Sequence, residues 1–583
     1  MRKRRGALVA LAAAAAFAVP TATAGAGTTG RDAAARPTTP AAAGTGEFVV
    51  LYADGVDATA ARAAIAAAGG TVVDEIGTLG IARVSTDDAG FSEALVASGT
   101  VKGVARNHSV GSDTRGAAHR FAEERALEDR ATYAAGDGAA GASVTSDKKA
   151  GPERFSYLQW DMQMIGATPT LAHATATGAG VTVGIIDTGV DGAHPDLAPN
   201  FDAALSRNFT TDMPDIDGAC EVEPDGSCED PANVDEFGHG THVAGIVAAA
   251  YNGRGVAGVA PDATLVNLRA GQDSGFFFFF ETVAAITYAA DHGIDVVNMS
   301  FYTDPWLYNC GSEDDYVDGD VTAEQLAQQA MIREGILDAV AYARSSGVTL
   351  VAAAGNQHTD LAAPTRFDDT SPDYPPNTAT PRTVTSDCLD LPSEAPGVVQ
   401  VSSVGPSKVK ADYSTWGLGA IDVAAPGGWF RDWFGTNDFM EPENMVLSTY
   451  PEAVAREEGA INPGGGLKDP HFYKRDCIPG GTCAYYQFLQ GTSMASPHAA
   501  GVVALIIQAH GTPDGAGGFD LAPDAVYDIL TSTASDTACP DPALLDYTQE
   551  GRPASWNATC TGSPDVNSNY GEGIVNAAAA VAQ

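Results

Sequence analysis

The sequence predicts an α/β protein: a mostly parallel sheet with helices on both faces, preceded by a small ferredoxin-like α+β module. Three observations carry that expectation. Beyond about residue 155, several short stretches are apolar throughout, as strands covered on both faces must be. Helical stretches fall between several of them, the βα alternation of a parallel sheet. Ahead of them, residues 46–110 read β-α-β-β-α-β, the order of a split βαβ unit.

The elements follow in chain order. Arg2, Lys3, Arg4 and Arg5 form a basic head, Ala7 to Val19 an apolar run, and Ala22-Thr23-Ala24 a small-residue exit. Residues 1–24 therefore read as a secretory signal peptide, with a run too short to span a bilayer. No later stretch reaches the ~18 apolar residues of a membrane helix, so a secreted, extracellular protein without a membrane partner is expected. Residues 25–150 are read as a leader, the module and a linker. The module has strands at 47–52, 71–74, 80–84 and 101–105 and helices at 58–68 and 91–98. Residues 111–153 are polar and Gly/Ala-rich, with one helical stretch from Phe121 to Tyr133.

Residues 151–583 are read as one domain with loop insertions. Its buried strands are Val181–Ile186, Thr264–Leu268, Asp295–Met299, Thr349–Ala353 and Val398–Val401. Its helices are His242–Ala250, Thr282–His292 and Gln325–Ser345, and Ala499–Ala509 suits a buried helix. Acidic, Pro/Gly-rich insertions at 211–236, 304–324, 357–395 and 427–489 read as surface loops. In open parallel sheets chemistry gathers at strand C-termini, and Asp187 sits at such an end.

Charge excludes one class of partner. Against 32 Lys and Arg stand 74 Asp and Glu, a formal charge of −42. Such a surface repels a polyanion, so nucleic acid is not a partner. The 8 cysteines are an even number in an exported chain, without a C-x-x-C pair, which favours disulfides over metal ligands. Short spacing favours Cys220–Cys228 and Cys477–Cys483. Cys539–Cys560 also suits, and Cys310–Cys388 is left by elimination.

Three passages carry chemistry: Ile185-Ile-Asp187-Thr-Gly, Gly238-His239-Gly240-Thr-His242, and Gly491-Thr-Ser493-Met-Ala-Ser-Pro497. A serine hydroxyl becomes a nucleophile only when an imidazole takes its proton. The imidazole needs a buried carboxylate to fix its tautomer and stabilise its charged form. Ser493 opens a helix, whose N–H groups and dipole favour negative charge developing on a substrate carbonyl oxygen. Gly240 and Gly491 allow close backbone approach.

In the order Asp, His, Ser, these passages resemble those of the subtilisin-like serine peptidases, the subtilases, over about residues 155–583. The resemblance implies Asp187 as orienting carboxylate, His239 as general base and acid, and Ser493 as nucleophile. The passage Ala352-Ala-Ala-Gly355-Asn356 resembles the family's oxyanion segment and implies that role for Asn356. The implied activity is a serine endopeptidase hydrolysing peptide bonds in proteins through an acyl-enzyme. It has no catalytic metal or organic cofactor, and a monomer is expected. The module at 46–110 resembles the family's inhibitory propeptide, which implies a self-processed zymogen. Asp196 and the loop Tyr251 to Val256 resemble its calcium segments, implying the side chains of Asp196 and Asn252 and the carbonyls of Ala250, Arg254 and Val256 as ligands of a structural calcium ion. Substrate binding is implied for Phe277 and Phe278 at the rim, Ser300, Phe301 and Tyr302 on the facing strand, and Ala354 and Gly355. Tyr302 departs from the family's usual glycine.

Three rival readings remain in the residues. Asp187-Thr-Gly189 and Asp273-Ser-Gly275 would form an aspartic dyad, but leave the His and Ser passages unexplained. His239 and His242 would form a zinc hydrolase, without the H-E-x-x-H spacing. A binding module without catalysis has no reason to keep every catalytic group.

Overall fold

The computed structural model describes residues 46–107, 152–214, 216–220, 227–375, 378–479 and 481–583. The expected signal peptide, leader and linker helix lie outside the described residues. Thr45–Gln583 forms one compact body.

The N-terminal module runs β1 (Gly46–Tyr52), α1 (Ala58–Ala67), β2 (Thr71–Ile76), β3 (Ile81–Thr86), α2 (Phe91–Ala97) and β4 (Val101–Arg106). Its sheet has the order β2-β3-β1-β4, antiparallel throughout. Asp57 caps α1 through the N–H groups of Thr59 and Ala60. Alternation explains why β1 is apolar on both faces from Phe48 to Tyr52. Phe48, Val50 and Tyr52 pack on Ile65, Phe91 and Leu95 of the module's own helices. Val49, Leu51, Ile76 and Ile81 turn the other way, into the core of the large domain.

The large domain is built on β5 (Thr182–Ile186), β6 (Arg207–Asn208), β7 (Thr264–Arg269), β8 (Val296–Met299), β9 (Tyr316–Asp318), β10 (Thr349–Ala353), β11 (Thr365–Asp368), β12 (Arg382–Thr385), β13 (Val399–Val404), β14 (Val423–Pro426), β15 (Val446–Tyr450), β16 (Tyr473–Cys477) and β17 (Cys483–Leu489). Seven of these form the parallel sheet β14-β13-β10-β8-β5-β7-β6. Helices His239–Ala248 and Thr492–His510 cover one face, against Val183, Ile185, Val296 and Val351. Helices Phe279–Asp291 and Ala323–Ser345 cover the other, against Ile186, Val297, Leu350 and Ala352. From β5 the chain builds outwards to β7 and β6 on one side and to β8 and β10 on the other. The crevice for a ligand therefore opens at the carboxyl ends of β5 and β8.

The module's sheet lies on this second helix layer. Asn107 caps helix Phe279–Asp291: its Oδ1 accepts the Phe280 N–H at 3.2 Å. Arg83 reaches Glu281 at 3.2 Å and Lys102 reaches Glu334 at 2.6 Å.

Two expectations change. The insertions are not merely surface loops. β15, β17 and β16 form an antiparallel sheet whose Tyr450, Tyr473, Tyr485 and Phe488 join the main core, and β9, β11 and β12 form another. β15 and β17 are buried along nearly their whole length, β11 and β12 alternate as strands with one buried face do, and Cys477–Cys483 ties β16 to β17. The histidine helix starts at His239 rather than His242, because Gly238 at φ 95° turns the chain into it. The four disulfides pair as spacing and elimination indicated: Cys220–Cys228, Cys310–Cys388, Cys477–Cys483 and Cys539–Cys560.

Candidate active site

Asp187 leaves the end of β5 and is wholly buried. Its Oδ1 accepts the Thr188 N–H at 2.8 Å and lies 2.7 Å from His239 Nδ1. The approach depends on Gly240, where a Cβ would stand 2.1 Å from the Gly189 carbonyl oxygen and 2.9 Å from Asp187 Cβ. A second buried carboxylate fixes the turn. Asp235 accepts the N–H groups of Gly238 (2.8 Å) and Thr241 (2.9 Å) and the hydroxyls of Thr241 (2.5 Å) and Thr188 (3.1 Å).

Ser493 is the second residue of helix Thr492–His510, which packs against the histidine helix. Its Oγ lies 3.3 Å from the Ser300 carbonyl oxygen. Pro497 has no N–H for the Ser493 carbonyl four residues earlier, and that carbonyl instead accepts the Ser300 hydroxyl at 3.0 Å. Asn298 completes the join between β8 and the serine helix, donating to Ser300 Oγ at 2.9 Å and accepting from Ser496 at 2.6 Å.

Asn356 stands just beyond β10. Its Oδ1 accepts both the N–H (2.9 Å) and the hydroxyl (3.0 Å) of Thr492. These two bonds fix the amide oxygen and, with it, the orientation of the amide group. Ser493 and Asn356 line one open recess with Ser300, Phe301, Tyr302, Gly355 and Asp390. Ala354 is buried, and Ala353 takes the lining position.

This arrangement of a His–Asp pair, a serine at a helix N-terminus and a strand-end asparagine accompanies a match of residues 178–573 to the subtilase family. The chain belongs to the subtilase family. Residues 31–105 match the fervidolysin N-terminal prodomain, so this is a serine-type endopeptidase with a prodomain. Fervidolysin of Fervidobacterium pennivorans is 29% identical over 365 residues, which are 61% of this chain and 38% of fervidolysin. The chain thus spans well under half the length of that relative. Thermitase of Thermoactinomyces vulgaris is 29% identical over 353 residues, 60% of this chain and 83% of its own. The fold is also that of the epidermin leader peptide processing serine protease from Staphylococcus aureus, with TM-score 0.59, 21% identity, and coverage of 92% of this chain and 98% of that one.

In this subtilase the rim assignment of Phe277 and Phe278 is corrected. All five phenylalanines from 276 to 280 are at most 3% exposed. The run serves two cores rather than one. Phe277, Phe279 and Phe280 join the layer under the prodomain, while Phe276 and Phe278 enclose Tyr374. Phe277 stacks on Phe301 at 4.1 Å and so backs the recess wall. Its N–H and carbonyl are both bonded to Asp304. Tyr302 lines the recess with its hydroxyl tied to Asp373 at 2.6 Å.

Neither hydrolytic rival fits this geometry. Asp273 bonds Arg269 at 2.9 Å in a cluster with Asp212 and Asp230, and burial pushes its carboxyl up to about 8. Asp187 is bonded to His239, so the two aspartates do not share a proton. His242 turns Nε2 to the carbonyls of Val446 (3.2 Å) and Gln487 (3.0 Å), and burial holds it neutral by pushing its pKa down to about 3.

The loop expected from the sequence to bind calcium brings buried anions together. Asp196 accepts from Tyr486 (2.8 Å), Asn252 (3.2 Å) and the Val256 N–H (3.2 Å), while the Ala250 N–H bonds its carbonyl at 2.8 Å. Arg254 turns its guanidinium away to the carbonyls of Asp476 and Thr482. Glu153 adds a carboxylate whose Oε1 accepts the Gly253 N–H at 3.1 Å and whose Oε2 has no partner among the described residues. Burial raises both carboxyls, and the charge of Asp196 raises Glu153 further. Two buried anions on one loop are the donor set a hard divalent cation relieves.

Asp235, Asn298, Thr492, Glu153 and Asp390 were missed by sequence reasoning. Only Asp235, three residues before a helix-opening glycine, carried a signal, that of an Asx turn.

Proposed function

We propose that this subtilase is an exported, self-processed zymogen that hydrolyses protein and peptide substrates at Ser493. The proposed organisation is a signal peptide at 1–24, a leader, propeptide (about 46–110) and linker within 25–150, and the peptidase domain at 151–583. The reading rests on the 2.7 Å Asp187–His239 contact and on the recess that Ser493 and Asn356 line together.

Ser493 Oγ attacks the substrate carbonyl carbon as its proton passes to His239 Nε2. Asp187 holds the Nδ1–H and stabilises the imidazolium. Negative charge moves to the carbonyl oxygen, which the Asn356 amide nitrogen and the N–H groups of the helix N-terminus receive. His239 protonates the leaving amine, and water then cleaves the acyl-enzyme with His239 as base. Ser300, Phe301, Tyr302 and Gly355 contact substrate. Asp196, Asn252, Glu153 and the carbonyls of Ala250, Arg254 and Val256 would hold a calcium ion, which would offset the buried negative charge and take no part in the reaction. The enzyme acts as a monomer, without nucleic acid or membrane.

The test is Ser493→Ala expressed with the whole leader in a host lacking its own exported proteases. The precursor should leave the cell uncut and inactive, while the unaltered chain appears outside with a new N-terminus between about residues 110 and 155. Processing of Ser493→Ala to the same length would refute self-processing.

A further inference from the structure

We infer that Asp161 and His498 are positioning residues for Ser493. Through this buried pair, the segment that follows the processing region holds the first turns of the serine helix in reactive geometry. The inference rests on the reading of Ser493 as nucleophile and adds a second Asp–His pair that takes no part in the proton transfer.

The start of helix Thr492–His510 lacks a backbone bond. Pro497 offers no N–H to the Ser493 carbonyl, which takes the Ser300 hydroxyl instead. Side chains from other elements supply further holds, Asn356 on Thr492 and Asn298 on Ser496. His498 supplies one from within the helix. Its Nδ1 lies 2.8 Å from the carbonyl oxygen of Met494, the residue next to the nucleophile. A carbonyl only accepts, so this partner assigns Nδ1 a proton. Nε2 lies 3.0 Å from Asp161 Oδ2. An ionised carboxylate also only accepts, so the ring carries both protons and stands as an imidazolium against Asp161.

Both residues are wholly buried, and Asp161 Oδ1 has no hydrogen-bond partner among the described residues. A carboxylate held out of water with one bare oxygen depends on the charge that faces it, and removing either partner strands the other. Without Asp161 nothing fixes which ring nitrogen keeps its proton or where the ring points, so the hold on Met494 is lost.

Asp161 is itself held in place. It lies in helix Trp160–Ile165, and the two residues before it are anchored. Gln159 donates to the Ala257 carbonyl at 2.7 Å and accepts the Ala257 N–H at 3.1 Å, while Trp160 Nε1 donates to the Met445 carbonyl at 3.1 Å. The nucleophile's helix is thus tied to a segment that begins just after the proposed cut. Processing between about residues 110 and 155 keeps Asp161, whereas a cut beyond it would remove the anchor.

The test compares the unaltered enzyme with Asp161→Ala, Asp161→Asn, His498→Ala and the double Ala variant. It reads kcat and KM on one peptide and the rate of fluorophosphonate labelling, each per folded molecule. Both single Ala variants should lose about 10–10²-fold in kcat and in labelling rate with KM little changed, the cost of misplacing a nucleophile through a remote contact. Asp161→Asn, whose amide can still bond Nε2, should recover most of that loss. The double variant should be no slower than the slower single one, because both substitutions break the same contact. Full kcat and labelling rate in folded Ala variants, no recovery in Asp161→Asn, or losses that multiply in the double variant would overturn the positioning role and leave the serine mechanism standing. Failure of the unaltered enzyme to label at Ser493 would overturn the nucleophile instead. Should the Ala variants not fold, ring-nitrogen NMR of the Ser493→Ala protein decides: both nitrogens of His498 protonated at neutral pH support the pair, and one bare nitrogen overturns it.

Discussion

Replacing Asn356 by alanine should slow turnover without weakening substrate binding. Two hydrogen bonds from Thr492, at 2.9 and 3.0 Å, hold the amide oxygen, so the nitrogen is oriented before substrate arrives. A donor placed in advance acts on charge present only in the transition state, so its loss appears in kcat. Removing one such donor costs about 10²–10³-fold in kcat, a magnitude measured on subtilisin itself, a member of this family, and not calculated from this structure. The same substitution removes the two bonds to Thr492, at about 0.5–1.5 kcal/mol each, so about 1–3 kcal/mol of stability should also be lost. Thr492→Val separates the effects. It keeps the backbone N–H on Asn356 and removes only the hydroxyl, so turnover should fall by about tenfold at most. Steady-state kinetics on one peptide, with a thermal melt of each variant, reads both. A rise in KM at unchanged kcat for Asn356→Ala, or a larger kcat loss for Thr492→Val, would refute the oxyanion role.

Other expectations are best measured on Ser493→Ala protein, which cannot digest itself. Calcium should stabilise it by ~2.7 kcal/mol at a hundredfold excess over the dissociation constant, and Asp196→Ala should erase that; identical melts with calcium and with chelator would contradict the site. Chain entropy assigns Cys310–Cys388, closing a separation of 78, about 4.5 kcal/mol, and Cys220–Cys228, closing 8, about 2.5 kcal/mol. Serine replacement of the first pair should therefore lower the denaturation midpoint more; the reverse order would show that loop entropy does not set these contributions. Lys410 is wholly buried, and burial pushes its pKa from 10.5 down to about 7. The folded state thus binds fewer protons than the unfolded between those values, so this residue's contribution grows as pH rises from 7 towards 10.5 and is lost as pH falls through 7. Lys410→Met should flatten stability against pH in that window; an unchanged slope would contradict the assignment.

What the sequence made legible follows from the range of the forces involved. Val181–Ile186 and Thr349–Ala353 announce themselves as buried strands because both faces are apolar, and Asp187, His239 and Ser493 sit in short passages constrained by their glycines. Long-range contacts leave no such trace. Asn298 is an ordinary strand residue until Ser496 arrives from far along the chain. Asp390 looks like one more acid in an acidic insertion until β10 and the serine helix form the other walls of its recess. The phenylalanine run misled for a related reason. Five adjacent rings cannot face one core, but here two cores meet at residue 278. The apolar outer face of β1 likewise becomes intelligible only with helix Phe279–Asp291 beneath it.

The central claim is that Ser493, activated by His239, is the reacting atom's owner. A fluorophosphonate probe forms a bond only to an activated nucleophile, and peptide mapping of the labelled protein identifies the residue that carries it. One adduct per molecule is predicted, on Ser493, formed in step with loss of peptidase activity and absent after His239→Ala. An adduct on a different serine, or full activity with Ser493 labelled, would contradict the account.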